Sequence, residues 1–490
     1  MTRTPSEPAA RAPIDELPRV LGPVAAFCVV VGAVIGSGIF IVPASVATNV
    51  PYLGGIIGVW VVGGLFSLAG ALTLAELGAM LPAAGGPYVY LREAYGRLSA
   101  FLFGWTEFLV VRAGSMATLA AAFARYFGQV FEPPEGVDPA AWQMIAAVGA
   151  IALVTTVNVL GTALGGWVQV IGTALKVGAL LALILLPMVV GGADPARLSP
   201  AWPGSIDADL ARGFMTAMVG VLWAYDGWVN LTPLAEEVRQ PERNIPRALM
   251  LGMAVLIALY LAATLAYHLV LPLAEVASPS GNPSNRAVAA DYCRRLVGPN
   301  GGFIISMVVM ASTLISLNGN ALAGPRAYFA MARDGLFPAG LCRVHSRFRT
   351  PANAVFVQSA WATALTVVGT ILILYPPPTG LPGPISAVWA KLNATPLYDL
   401  LYTYVIFGAT IFYMLAIASV FTLRRTRPDL PRPYRTWGYP ITPALYVAAS
   451  LLLLGNMLVA SPVESLAGLA IIALGLPAYL VYSRRPAPVP

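Results

Sequence analysis

Apolar runs of about 20 residues, the length that crosses ~30 Å of hydrocarbon, recur about twelve times between Gly22 and Tyr482. They predict spans at 22–47, 54–81, 98–127, 142–160, 165–190, 209–236, 248–271, 299–325, 352–375, 397–423, 440–460 and 464–483. The first and the sixth runs are interrupted near mid-length by glycine, in Gly36-Ser37-Gly38 and in Tyr225-Asp226-Gly227-Trp228. Hydrocarbon tolerates unpaired backbone N–H and C=O groups only around a protein-lined cavity, so paired interruptions point to a polar solute site near the bilayer midplane. The expected fold is an all-α polytopic membrane protein of 12 transmembrane helices, with helices 1 and 6 broken.

The two interrupted helices share a faint pattern, VGAVIGSGIF (31–40) against VGVLWAYDGW (219–228). Five crossings separate them, and an odd number inverts the second copy, the arrangement of a 5+5 inverted-repeat transporter. The division expected is a tail over 1–21, a first five-helix repeat over 22–190, its inverted partner over 209–423, peripheral helices 11 and 12 over 440–483, and a tail over 484–490. Prolines punctuate the connections, notably in 82–87 and in RQPERNIPRA after the sixth run. The proline-rich stretch 376–384 reads either as a stiff outer cap or as a variable connection.

Length alone suggests about three soluble domains, but 58% apolar residues, 10% charged residues and a mean hydropathy of +0.75 displace that prior. With the N-terminus inside, inner segments hold 20 of the 29 basic residues, outer segments seven, and helix interiors two, Arg112 and Lys176. That asymmetry puts both termini in the cytoplasm of an inner (plasma) membrane protein. Arg286, Arg294 and Arg295 sit on a longer outer loop, where the rule binds less strictly. The net charge of +7 follows from this topology and from contact with an anionic bilayer, so nucleic-acid binding is a poor alternative. Cys28, Cys293 and Cys342 form no CxxC pair or metal-ligand spacing, and the polar first twenty residues lack a signal-peptide core.

Candidate chemistry gathers at the interruptions. The glycines beside Ser37 expose N–H groups at a positive helix end suited to a carboxylate; close helix packing is the plainer reading. Carbonyls near Trp223, Ala224 and Tyr225 end the oppositely directed half-helix and suit an ammonium group, so one site receives both ends of a zwitterion. Asp226 must face a cavity, find a partner or bind a proton; a structural cap is the alternative. Lys176, one of two lysines, lies too deep to snorkel, and is either a titrating group or a fixed substitute for a coupling cation. Glu107 and Arg112, five residues apart, miss the ideal helical pairing distance and are expected to pair with other helices. Glu236 and Glu237, followed by Arg239, Arg243 and Arg247, read as an inner charge network or, more sharply, an inner gate. Only His268 and His345 are present, with no HExxH, GxSxG or Walker sequence, so no catalytic residue, metal or cofactor is assigned.

Taken together, GSGIF (36–40), WAYDGW (223–228), EEVRQPERNIPRA (236–248) and SLNG (316–319) resemble the amino acid–polyamine–organocation superfamily, and most closely bacterial members of its L-type amino acid transporter branch. Further likeness at 75–96, 105–112, 168–176, 427–443 and 475–482 extends over nearly the whole chain. The resemblance implies that backbone at Ile35, Gly36, Ser37 and Gly38 holds a substrate carboxylate, and that backbone of the sixth helix holds the α-amino group. It makes Trp223 an aromatic gate, and ties Lys176 to the first break and to Ser316 in place of a sodium ion. Asp226 matches an acidic residue of members that also accept cationic substrates. Animal relatives join a heavy chain through a cysteine in the second outer loop, whereas 131–142 has none, so no disulfide-linked partner is expected. Met116, Asn320 and Tyr404 are candidate selectivity positions.

The residue readings point to a carrier working by alternating access, and the resemblance implies sodium-independent exchange of neutral L-amino acids and allows cationic ones as further substrates. Proton-coupled uptake is the alternative mechanism, and an amino acid sensor without transport the alternative class.

Overall fold

Every long apolar run folds as helix, because a helix pairs its own backbone groups where no water can do so. The computed structural model describes residues 17–199, 201–202, 208–278, 288–375 and 397–484, with 383, 386 and 389 between the last two. In chain order the helices are α1 (Pro23–Val34), α2 (Gly38–Asn49), α3 (Leu53–Met80), α4 (Pro87–Tyr95), α5 (Arg97–Thr106), α6 (Ala113–Val130), α7 (Pro139–Leu160), α8 (Thr162–Val190) and α9 (Ala208–Tyr225). They continue with α10 (Pro241–Val270), α11 (Leu273–Ala277), α12 (Val288–Val297), α13 (Gly301–Ala323), α14 (Pro325–Arg333), α15 (Ala352–Leu374), α16 (Leu397–Thr426), α17 (Ile441–Ala460) and α18 (Pro462–Ser483). A π-helical turn (Glu107–Arg112) joins α5 to α6, and a 3-10 helix (Trp228–Glu237) follows α9. Among the described residues no strand forms beyond a parallel bridge between Leu21 and Val238.

Among the described residues ten helical segments are long and apolar enough to cross a membrane, and α1 with α2, bent by 41° at their junction, makes an eleventh when taken as one span. The sequence pattern predicts twelve. The sixth run falls short because α9 opens with Asp209 and Arg212 and the chain leaves the α-helix after Tyr225. Burial separates centre from rim: 78% of the apolar window in 97–130 lies inside the protein, against 17% in α18, whose apolar surface is left for lipid. At the centre α1 packs on α8, α10 and α13, while α2 packs on α9.

Three expectations fall outside the described residues: the prolines of 376–384, Arg286, and the side chain of Tyr404. So do residues 1–16 and 485–490 of the tails.

Candidate functional site

The two interruptions meet. α1 ends where Ile35 leaves the helical region at φ −70° and ψ 85°, and α2 restarts at Gly38. After Tyr225, Gly227 adopts φ +120°, a conformation that L side chains rarely reach. A Cβ on Gly38 would lie 2.7 Å from both Cα and Cβ of Ala224, and one on Gly227 would lie 2.9 Å from the carbonyl carbon of Ala33. Glycine at these two places lets the two main chains touch. The Tyr260 hydroxyl of α10 sits 3.0 Å from the carbonyl of Val34 and 3.0 Å from that of Ala224, so one phenol donor spans both helix ends.

Between the breaks lies a cavity of about 20 Å³, room for about one water. Its walls are Gly36, Ser37 and Gly38 from the first break, Trp223, Asp226 and Gly227 from the second, and Ser115, Leu119 and Asn320 from α6 and α13. The N–H groups of Gly38 and Ile39 open α2 and have no carbonyl four residues back within it, which leaves donors and a positive dipole end at this spot. On the other side the Trp223 carbonyl accepts from the Asp226 N–H at 3.1 Å, using one of its two lone pairs.

Three of the residues expected at the site stand outside the cavity wall. The Ile35 N–H donates to Val31 at 3.0 Å, and its carbonyl turns toward α8 and α13. Ala224 contributes the carbonyl that Tyr260 engages, while the Tyr225 ring packs against Trp60 and Tyr260 at centroid distances of 5.8 and 5.0 Å. Of the selectivity candidates, Asn320 lines the cavity, whereas Met116 is buried with its sulfur 2.9 Å from the Gln358 amide nitrogen.

Lys176 reaches the first break from α8. An ammonium has three donors, and here they go to the carbonyls of Gly32 at 2.6 Å and Ile35 at 2.5 Å and to Ser316 Oγ at 3.0 Å. Ser312, one helical turn before Ser316, donates toward the Ile35 carbonyl at 2.9 Å and lies 3.2 Å from that of Gly36. The last carbonyls of α1, which have no intrahelical partner, are thereby satisfied by α8, α10 and α13.

Two expectations about charge need correction. Glu107 and Arg112 form their ion pair with each other, at 2.5 Å, and of the two side chains only that of Arg112 also reaches polar groups of other elements among the described residues. The reason is the π-helical turn between them: bonding from i to i+5 brings residues five apart into one column, which α-helical spacing does not. Arg112 also donates to Asn230 and lies 3.4 Å from Asn320, itself a lining residue of the cavity. At the α14 end of the bundle, Glu236 pairs with Arg333 at 2.9 Å and Glu237 with Arg326 at 2.7 Å, rather than with Arg239, Arg243 or Arg247. Both carboxylates point into the bundle, and Glu236 also accepts from the N–H groups of Leu17 and Ala84. The three following arginines lie on the outward side.

A helical bundle with ten or eleven membrane-length apolar segments among its described residues is that of a multi-pass membrane protein. The chain belongs to the amino acid permease family, whose model matches residues 21–480. It is 30% identical over 451 residues to the b(0,+)-type amino acid transporter 1 of Mus musculus, covering 92% of this chain and 83% of the relative. It is equally 30% identical over 473 residues to the serine/threonine exchanger SteT of Bacillus subtilis (strain 168), covering 96% and 98%. The large neutral amino acids transporter small subunit 2 of Homo sapiens matches at 30% over 473 residues, covering 95% and 80%. The chain is thus a bacterial-type relative of the L-type branch, and its family and these relatives are transporters.

Proposed function

We propose that the protein is a sodium-independent carrier that exchanges neutral L-amino acids across the inner membrane by alternating access. The contact between the two breaks carries this reading: the start of α2 at Gly38 and the end of α9 at Trp223 line one cavity, and Gly38 lies against Ala224. A carboxylate suits the first and an α-ammonium the second. Gly36, Ser37 and Gly38 take the carboxylate, with Ile35 fixing the turn. Trp223 presents the carbonyl end at the wall, Ala224 and Tyr225 hold that end from behind it, and Asp226 adds the charge that admits cationic substrates. Lys176, with Ser316, supplies a positive charge at the α1 end where a sodium ion would otherwise be needed.

A 5+5 inverted repeat of 12 spans, counting α1 with α2 and α9 with its 3-10 extension as one each, is supported by how the helices pair. Exchanging the two sets of five turns the α1–α10 contact into that of α9 with α3, and the α6–α15 contact into that of α13 with α7. Arginine-rich connections on the side of both termini support a cytoplasmic location for them. The cavity holds about one water and no amino acid, so loading requires the half-helices to part, with Trp223 as the moving lid.

Purified chain reconstituted alone into vesicles tests this. Exchange requires amino acid on the far side of the membrane; proton coupling gives uptake into empty vesicles under an imposed pH gradient; a sensor traps no label under either. Uptake that needs sodium, or needs a second protein, overturns the reading. A competition panel of neutral, cationic and acidic amino acids then ranks substrates.

A further inference from the structure

Away from the central cavity, α1 and α10 leave a groove of about 270 Å³ between them. Its apolar wall is Val24 and Phe27 of α1 and Leu251 of α10, and its polar end is Asn244 and Arg247. Val24 and Leu251 are 62% and 60% exposed, and both belong to helices embedded in the bilayer, so this wall faces lipid rather than water. Along α10 the exposed positions run Arg243, Arg247, Leu251, Ala254 and Ala258, a stripe that passes from cationic to apolar in the direction of the bilayer centre. One helical turn, about 5.4 Å, separates each arginine from the next member. Arg243 and Arg247 are both exposed, and among the described residues neither side chain has a hydrogen bond or ion pair, whereas Arg326 and Arg333 are paired with Glu237 and Glu236.

We propose that this groove is a binding site for one phospholipid with an anionic headgroup, drawn from the leaflet on the side where α10 begins. The geometry matches the ligand in both its parts. A guanidinium presents a planar fork to phosphate oxygens, and two unpaired ones at headgroup depth favour a lipid carrying a net negative charge over a zwitterionic one. An acyl chain then lies along Val24, Phe27 and Leu251. A soluble peptide does not reach an apolar wall inside the bilayer, and a second copy of the chain would set its own Arg243 and Arg247 against this pair, a like-charge contact.

The location gives the lipid a role. α1 is held at its far end through Gly32, Val34 and Ile35 by Lys176 and Tyr260, so a lipid at Val24 and Phe27 grips the other end of the segment that precedes the first break. Anionic lipid therefore stabilises one position of α1 and sets the rate at which the half-helix moves.

Native mass spectrometry of the delipidated full chain, given equal phosphatidylglycerol and phosphatidylcholine, tests the site without measuring transport, so its failure is separate from any failure of the proposed carrier activity. The wild type should retain one phosphatidylglycerol in at least fivefold preference. R243Q/R247Q should lower that preference to less than twofold, L251W should reduce retention of both lipids, and R212Q, on the opposite face of the membrane, should leave it intact. Equal retention by wild type and R243Q/R247Q overturns the proposal, as does equal loss in R212Q, which marks a general charge effect. A dimer in the same spectra that L251W dissociates while lipid retention stays the same also overturns it, by assigning the groove to a second copy.

Discussion

Substituting Gly38 with alanine tests whether the contact between the two breaks is the centre of the protein. A Cβ there meets Cα and Cβ of Ala224 at 2.7 Å, and the obstruction is partly main chain, so no rotamer change relieves it. Forcing one extra carbon into such a contact costs about 1–3 kcal/mol, equal to a factor of about 5 to 150 in an equilibrium or rate. Gly178 of α8 provides the internal control: a Cβ there would meet nothing within 4 Å. Counterflow of labelled amino acid in vesicles, normalised to reconstituted protein, should fall at least tenfold in G38A and no more than threefold in G178A. A224G should fail to rescue G38A, because the Ala224 Cα remains in place. Equal flux in G38A and wild type, with equal melting temperatures in detergent, would refute the claim that the half-helices touch here.

Four further outcomes follow from the same geometry. K176A leaves the carbonyls of Gly32 and Ile35 without their charged donor, and charge-assisted bonds are each worth about 1.5–3 kcal/mol, so exchange should drop at least tenfold while the wild type runs equally in sodium and choline buffers. Y260F removes the one hydroxyl shared by Val34 and Ala224; at about 0.5–1.5 kcal/mol for a neutral bond, flux should fall about two- to tenfold with little change in folded yield. R326M strands Glu237 in a fully buried position, which costs about 3–5 kcal/mol; size-exclusion chromatography should show loss of monodisperse protein, partly recovered in E237Q/R326M. G227A combines a φ of +120° with a main-chain contact at 2.9 Å and should be at least as damaging to counterflow as G38A.

The spans were legible because hydrocarbon thickness imposes a length on apolar runs, and most predicted ends lie within a few residues of the helices. α10 is the instructive exception. It begins at Pro241 rather than 248, since Glu242, Arg243, Asn244 and Arg247 are too polar for hydrocarbon yet compatible with a helix that projects out of it. The interruptions were legible through glycine and Asp226, and Lys176 through its depth. Ser312 and Tyr260 were not. A serine in an apolar helix can satisfy its own preceding turn, as Thr48 and Thr73 do with threonine hydroxyls, and nothing in composition tells which one reaches across. The π-helical turn was equally silent, because one inserted residue alters the column of Glu107 and Arg112 without altering residue types. The partners of Glu236 and Glu237 lie roughly 90 residues away in sequence, beyond the reach of local spacing.

The smallness of the central cavity has a practical use. Ser37 is wholly buried on its wall, so a thiol installed there by S37C is shielded from water-soluble alkylating reagents for as long as the half-helices stay together. Its modification rate then becomes a stopwatch for door-opening, one that runs in whole cells and needs no radioactive cargo.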